Sequence, residues 1–265
     1  MPPKSRARKA KPVRKPKAPP VPSHAVAVLS DIHSNLHALM AVVELCKGRG
    51  IHRFWCLGDI VGYGAYPAEC LKLIRALDCL TVLGNHDYYV AGGDNDHDLN
   101  DLALAGIEHS KKALTPAARK WLRERPEVIV AETFTLVHSS LPHPLEWDYV
   151  LGSADARPTL HAQTTPVCFY GHTHVPKLFA GGQSAPPEKL GEGKYRFDRA
   201  GRALVNPGSV GQPRNEDPRA QFVIYDPREL TAEFMKVEYD VEGAAGAILA
   251  AGLPEYLGER LLYGV

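Results

Sequence analysis

Residues 24–59 read HAVAVLSDIHSNLHALMAVVELCKGRGIHRFWCLGD, and this stretch decides the fold class. HAVAVLS (24–30) is a short apolar run ending at Asp31, the pattern of a buried strand. NLHALMAVVELCKGRG (35–50) carries apolar residues at helical spacing and stops on Gly48 and Gly50. IHRFWCLG (51–58) is a second apolar run, ending at Asp59. Strand, helix and strand in that order predict a βαβ unit and a mostly parallel sheet.

Toward the C-terminus the pattern continues. PAECLKLIRAL (67–77) opens on Pro67 and predicts a second helix, because proline is tolerated in a first turn. CLTVLGNHD (79–87) reads as a third strand running into a loop. Residues 94–125 are polar and predict helices, the second opened by Pro116 after Thr115. EVIVAETFTLVHSS (127–140) reads as two strands joined at Ala131 and Glu132, and PVCFYGHTH (166–174) as another strand entering a loop. KYRFD (194–198), GRALVN (201–206) and AQFVIYD (220–226) predict short strands among Gly/Pro turns, and TAEFMKVEYD (231–240) a longer alternating one. Residues 241–264 close the chain as two helices broken at Gly252, Leu253 and Pro254. With no repeat and no long linker, residues 24–265 predict one α/β domain with two sheets.

Residues 1–23 differ. They hold Lys4, Arg6, Arg8, Lys9, Lys11, Arg14, Lys15 and Lys17 and no acid. Removing those eight charges from the net +1 of the 265-residue chain leaves a mildly acidic body at −7. A Lys/Pro segment with almost nothing apolar cannot offset chain entropy, so it is expected to be disordered. Such a tail can contact nucleic acid nonspecifically or simply solubilise. It lacks the apolar core of a secretory signal, and its prolines disfavour a transit helix. No apolar run approaches the ~20 residues that span a bilayer. The five cysteines are odd in number, form no CxxC pair and sit mostly in apolar runs. They read as core residues of a cytoplasmic protein rather than disulfides or a metal site.

Five short motifs lie at strand ends or just after them: Asp31-Ile32-His33, Gly58-Asp59, Gly84-Asn85-His86-Asp87, His138 and Gly171-His172-Thr173-His174. In open α/β sheets, loops leaving the carboxyl ends of strands converge on one crevice. Carboxylate, imidazole and carboxamide oxygen are ligands for Zn, Mn, Fe or Ni. Asp31, His33, Asp59, Asn85, His138, His172 and His174 exceed what one catalytic ion needs, so two ions fit better. Two ions ~3.5–4 Å apart clamp a phosphate and generate hydroxide. Asp59, with two oxygens to share, is the natural bridge. His86 is then free to help the leaving oxygen or to steady developing charge. Gly58, Gly84 and Gly171 are expected to turn the backbone so that the next side chain faces the metal. Any one of these histidines alone would more often be a packed core residue. His24, His37, His52, His97, His109, His143 and His161 are read that way, and Asn35 as a helix cap.

This order of motifs resembles the calcineurin-like metallophosphoesterase superfamily, which reads DxH, GD, GNH, H and GHxH. The phrases GDIVGYG (58–64), VNPGSVGQPR (205–214) and AAGLPEYLGERLLYG (250–264) resemble one prokaryotic-type branch of it. The resemblance implies a four-layer α/β/β/α sandwich of two mixed sheets flanked by helices. It implies that Asp31, His33 and His174 hold one ion, that Asn85, His138 and His172 hold the other, that Asp59 bridges and that His86 is catalytic. It further implies hydrolysis of phosphodiester or phosphomonoester bonds. Asn206-Pro207-Gly208-Ser209 resembles a family loop near the site and is given no catalytic role. One departure stands out: many members read GDxxDxG, and Gly62 replaces the second Asp. The competing reading is a catalytically weak regulatory or nucleic-acid-associated protein on the same fold, but every ligand position keeps a competent residue.

Overall fold

The computed structural model describes residues 24–93, 99–180 and 193–265. The basic tail and His97 lie outside the described residues. The chain runs β1 (Val26–Leu29), α1 (Leu36–Gly48), β2 (Phe54–Cys56), α2 (Pro67–Ala76) and β3 (Leu80–Thr81). Three helices follow: α3 (Asn85–Val90), α4 (Asp101–Ala113) and α5 (Pro116–Arg123). Then come β4 (Val128–Val130), β5 (Phe134–Val137), α6 (Ser153–Ala162), β6 (Val167–Phe169), β7 (Lys177–Ala180), β8 (Gly193–Arg196) and β9 (Ala203–Asn206). β10 (Ala220–Asp226), β11 (Thr231–Val237), α7 (Val241–Ala250) and α8 (Glu255–Tyr263) complete it.

The alternation within β1 fixes the layering. Successive side chains of a strand point to opposite faces. Ala27 and Leu29 meet α1 and α2 through Leu39, Val42, Cys46, Leu71 and Ile74. Val26 and Val28 face the other way, onto Leu136, Val167, Phe169 and Val205 of a second sheet. That sheet's outer face, Val137, Cys168 and Leu204, packs on Ala156 and Leu160 of α6. The result is the four-layer α/β/β/α sandwich. Each fully buried Leu, Val or Phe in these seams is worth about 1.5–3 kcal/mol of transfer free energy.

The first sheet is ordered β3-β2-β1-β10-β11-β8 and the second β4-β5-β6-β9-β7. β1, β2 and β3 are parallel, as are β5, β6 and β9. Both sheets are therefore mixed, and the ends of their parallel strands carry the five motifs.

Most expected elements form where the sequence places them. Asn35 caps α1, its Oδ1 accepting the Ala38 amide at 3.1 Å. Thr115 caps α5 in the same way, and α7 and α8 break at Gly252 and Pro254. One local reading changes. GNHD is not the tail of a strand: β3 stops at Thr81, and Asn85 opens the short helix α3. Its first-turn amide at His86 is capped by the Asp59 carboxylate, 2.9 Å away and 27 residues earlier, a partner no local pattern reveals. Helix α6, absent from the sequence-based expectations, carries Pro158 inside it. It starts where Asp155 accepts the amides of Leu151 and Gly152 at 3.1 and 2.9 Å.

Candidate metal centre

The ligand candidates sit on strained backbone. Asp31, His33, Asp59, His172 and His174 all have φ between 46° and 66°. A non-glycine residue held there costs of order 1–3 kcal/mol and persists only where its surroundings over-determine it. Here they do. The Asp31 amide donates to the Gly58 carbonyl at 3.2 Å and that of His33 to the Asp59 carbonyl at 2.9 Å. The His172 amide donates to the Asp31 carboxylate at 3.2 Å.

The glycines therefore work differently from the expectation. Gly58 does turn the chain, at φ 93°. Gly84 is extended, with φ −98°. What Gly84 permits is contact: a Cβ there would lie 2.2 Å from the Asp59 amide nitrogen and from its Oδ1. A Cβ on Gly171 would lie 2.0 Å from Ser30 Oγ and 2.8 Å from Asp31 Oδ2. At these two positions the absent side chain lets the motif-bearing loops touch.

Three imidazoles are oriented the same way. Nδ1 of His33, His138 and His174 faces the carbonyl oxygens of Val61, Leu57 and Gln212 at 3.1, 2.7 and 2.6 Å. The His172 ring bonds the Trp147 carbonyl. A carbonyl only accepts, so Nδ1 of His33, His138 and His174 carries a proton. In the neutral rings of His33 and His174, Nε2 is then a lone pair aimed into the cleft, the arrangement that tunes a metal-ligating histidine. His33 Nε2 and His174 Nε2 lie 3.1 Å apart, and neither neutral ring has a proton to offer the other. His172 Nε2 is buried with no partner among the described residues. Both observations fit a bound cation.

The carboxylates complete two overlapping sets. Asp31 Oδ1 is 3.4 Å from His174 Nε2 and 3.9 Å from His33 Nε2. Asp59 Oδ2 lies 3.5 Å from His33 Nε2 and 3.4 Å from His138 Nε2, between the two sets. Asn85 Oδ1 sits 3.0 Å from His138 Nε2. The groups Asp31–His33–His174 and Asp59–His138–His172 are each close enough to share an ion. All eight expected residues, His86 included, converge in one place and are at most 6% exposed.

Charge follows burial. Burial holds His33 and His174 well below the usual imidazole range and lowers His172 to about 3 and His86 to about 4. These rings are neutral at pH 7 and ready to ligate. Burial also lifts Asp31 to about 6. For Asp59 burial pushes upward, but His138 and His86 outweigh it and the carboxyl stays ionised well below its usual range. His138 is the partner: burial lowers it, yet Asp59 wins and raises it to about 9.

The departure at Gly62 has a structural counterpart. At φ 93°, its missing side chain would point 2.3 Å from His86 Nδ1. The His86 ring occupies that space, and its Nδ1 has no partner among the described residues.

Several cleft residues escaped the sequence reading. The cleft holds about 100 Å³ and is lined also by Tyr63, Tyr149 and Arg214. Tyr149 stacks on His172 with centroids 4.2 Å apart, yet is 53% exposed. VNPGSVGQPR turns out to be a brace. Asn206 Nδ2 donates to the Gly171 carbonyl at 2.8 Å, and Ser209 Oγ to the Asp31 carbonyl at 2.7 Å. The Gln212 carbonyl holds His174. That phrase was the available signal for Gln212 and Arg214; nothing marked Tyr149. Of the other histidines, His24 pairs with Asp226 at 2.9 Å, and His52, His143 and His161 are exposed.

Residues 25–229 match the family model for the calcineurin-like phosphoesterase superfamily domain. The chain belongs to the calcineurin-like phosphoesterase superfamily. Its fold and family are those of metal-dependent phosphoric ester hydrolases. An uncharacterized protein of Methanocaldococcus jannaschii is 40% identical over 243 residues, covering 90% of this chain and 98% of that one. A crystal structure of a metallophosphoesterase from Sphaerobacter thermophilus aligns with TM-score 0.82 at 35% identity, over 91% of this chain and 99% of that one. A hypothetical protein from Pyrococcus horikoshii shares the fold at TM-score 0.75 and 22% identity, over 91% and 98% of the chains. The symmetrical bis(5'-nucleosyl)-tetraphosphatase of Dechloromonas aromatica is 32% identical over 123 residues, 44% of either chain.

Proposed function

We propose that this chain is a dinuclear metal-dependent phosphoesterase, with Asp31, His33 and His174 holding one ion, Asn85, His138 and His172 the other, and Asp59 bridging. The observation that carries the reading is the convergence of four imidazoles around Asp31 and Asp59, three of them with Nδ1 committed to a backbone carbonyl. The donor set of nitrogen and oxygen suits Mn, Fe, Ni or Zn. When bound, the ions supply Lewis acidity toward a phosphoryl oxygen and a hydroxide nucleophile.

The chain's own groups do the rest. Asp59 stays ionised because His138 and His86 outweigh its burial, so it offers both oxygens across the pH range of the reaction. His86 is neutral, since burial lowers it to about 4. Its contribution is therefore a ring N–H hydrogen bond to oxygen on which charge develops, rather than a proton from an imidazolium. The ring is buried, and the low local dielectric strengthens that bond.

The substrate is a phosphodiester or phosphomonoester. The partial similarity to tetraphosphatases makes dinucleoside polyphosphates the first esters to try. Five free cysteines, four of them buried, support a reducing cytoplasmic setting, and no described helix is long and apolar enough to cross a membrane. The basic tail would add nonspecific contact with nucleic acid.

The test is elemental analysis with turnover of bis-p-nitrophenyl phosphate in Mn²⁺ or Ni²⁺. Two ions per chain and hydrolysis lost in His86→Ala are expected. No hydrolysis by metal-loaded protein, across a panel of mono- and diesters, would refute the reading and favour an idle regulatory protein.

A further inference from the structure

We propose that Arg214 is a catalytic residue that clamps the phosphoryl oxygens of the substrate; the inference rests on the phosphoesterase reading above. Arg214 lines the same cleft as Asp59, Asn85, His86 and His172 and is the only Lys or Arg among the described residues that do so. It is half-buried.

Its guanidinium is held in place without being neutralised. Nε and Nη2 both donate to Gln212 Oε1, at 3.3 and 2.8 Å. The Tyr63 hydroxyl accepts a further hydrogen bond, and the cation sits 5.8 Å from the Tyr63 ring centroid. These partners are neutral. A guanidinium has five N–H donors in a rigid fork, so some have no protein acceptor among the described residues. The brace is also tied to the centre, because the Gln212 carbonyl holds His174 Nδ1 at 2.6 Å.

The electrostatics then ask for an anion. Two divalent ions would bring four positive charges against the carboxylates Asp31 and Asp59. Arg214 adds another positive charge in the same cleft. A cation held beside a cationic centre by neutral braces is unfavourable until an anion lies between them. A phosphoryl group is that anion. Its non-bridging oxygens match the planar fork, whose paired N–H groups bind phosphate in bidentate fashion. Because a guanidinium stays protonated, the clamp moves no proton. It binds the reacting group in the ground state and more tightly as charge builds on the oxygens.

The test uses the full metal-loaded chain, with inorganic phosphate as the binding probe and bis-p-nitrophenyl phosphate as substrate. Arg214→Ala should lower kcat/KM about 10²–10³-fold and weaken phosphate binding by calorimetry about 10–150-fold, with metal content unchanged. Arg214→Lys should recover only part, since an ammonium lacks the fork. Added guanidinium should restore turnover to Arg214→Ala, which a merely structural role would not. Gln212→Leu keeps the backbone carbonyl for His174 and should give a smaller loss of the same kind. If the wild-type chain hydrolyses the diester but Arg214→Ala retains both turnover and phosphate affinity, the clamp is wrong while the phosphoesterase reading stands. If the metal-loaded wild-type chain hydrolyses nothing, both fall.

Discussion

Gly84→Ala tests the proposition that this centre is assembled by backbone contact. The added methyl would sit 2.2 Å from the Asp59 amide nitrogen, 2.2 Å from Asp59 Oδ1 and 2.9 Å from its Cγ. An ordinary carbon–oxygen or carbon–nitrogen contact needs over a further ångström. The side chain cannot simply swing away, because Oδ1 caps the His86 amide at 2.9 Å. Nor can the amide move freely, since the flanking Gly58 and Asp59 carbonyls hold the amides of Asp31 and His33. The relief must therefore come from displacing the Asp59 loop against α3 by about an ångström. Overpacking of this kind costs about 1–3 kcal/mol, and for a chain of this size each kcal/mol shifts Tm by roughly 2–4 °C. A Tm loss of roughly 2–12 °C is expected. The effect on chemistry should be larger, because a misplacement of about 1 Å can cost about 10²-fold in rate. Calorimetry, diesterase kinetics and metal stoichiometry on one preparation separate the two. A Gly84→Ala protein with wild-type kcat/KM and two bound ions would refute the reasoning.

Three further outcomes follow from the same geometry. Asp87 Oδ1 accepts the amides of Ile60 and Val61 at 3.0 and 3.2 Å. Asp87→Ala should therefore cost about 1–3 kcal/mol for unsatisfied buried donors, while Asp87→Asn, which keeps the acceptor, should stay near wild type in thermal denaturation; equal losses would count against the anchor. Tyr149 covers His172 but remains 53% exposed, so Tyr149→Ala should leave Tm within about 1–2 °C and raise KM more for nucleotide esters than for glycerol phosphate; identical changes would argue for packing alone. Metal uptake should release protons, because His138 is held protonated to about 9 by Asp59 whereas His33, His172 and His174 are already neutral. At pH 7.5 about one proton per chain should leave on Mn²⁺ binding, falling toward zero as pH rises past about 9, by titration calorimetry in buffers of different ionisation enthalpy; no release would refute the Asp59–His138 assignment.

What could be read from the sequence divides along a physical line. Periodicity and punctuation are local, so β1, α1, β2 and α2 could be read directly, as could the break at Gly252 and Pro254. The ligand types at strand ends could be read too, because a parallel sheet brings such ends together whatever the loops do. Three things could not be read, and each depends on a contact between distant segments. Helix α3 exists because a carboxylate from another strand caps it. Gly84 and Gly171 matter for what lies against them, not for their own φ. The left-handed backbone falls also on Asp31, His33, Asp59, His172 and His174, where hydrogen bonds between distant loops hold it. These facts have one cause. Seven candidate donors gathered within a few ångströms bring five strand ends closer than side chains normally permit. Glycine stands where backbones touch, and the strain is carried by the ligands themselves. Gly62 belongs to the same pattern, since the His86 ring fills the space its side chain would need. Replacing it with the Asp that many relatives carry at this position would therefore require the His86 ring to move. The departure from the common motif is a repacking around the ring, with the candidate metal ligands left in place.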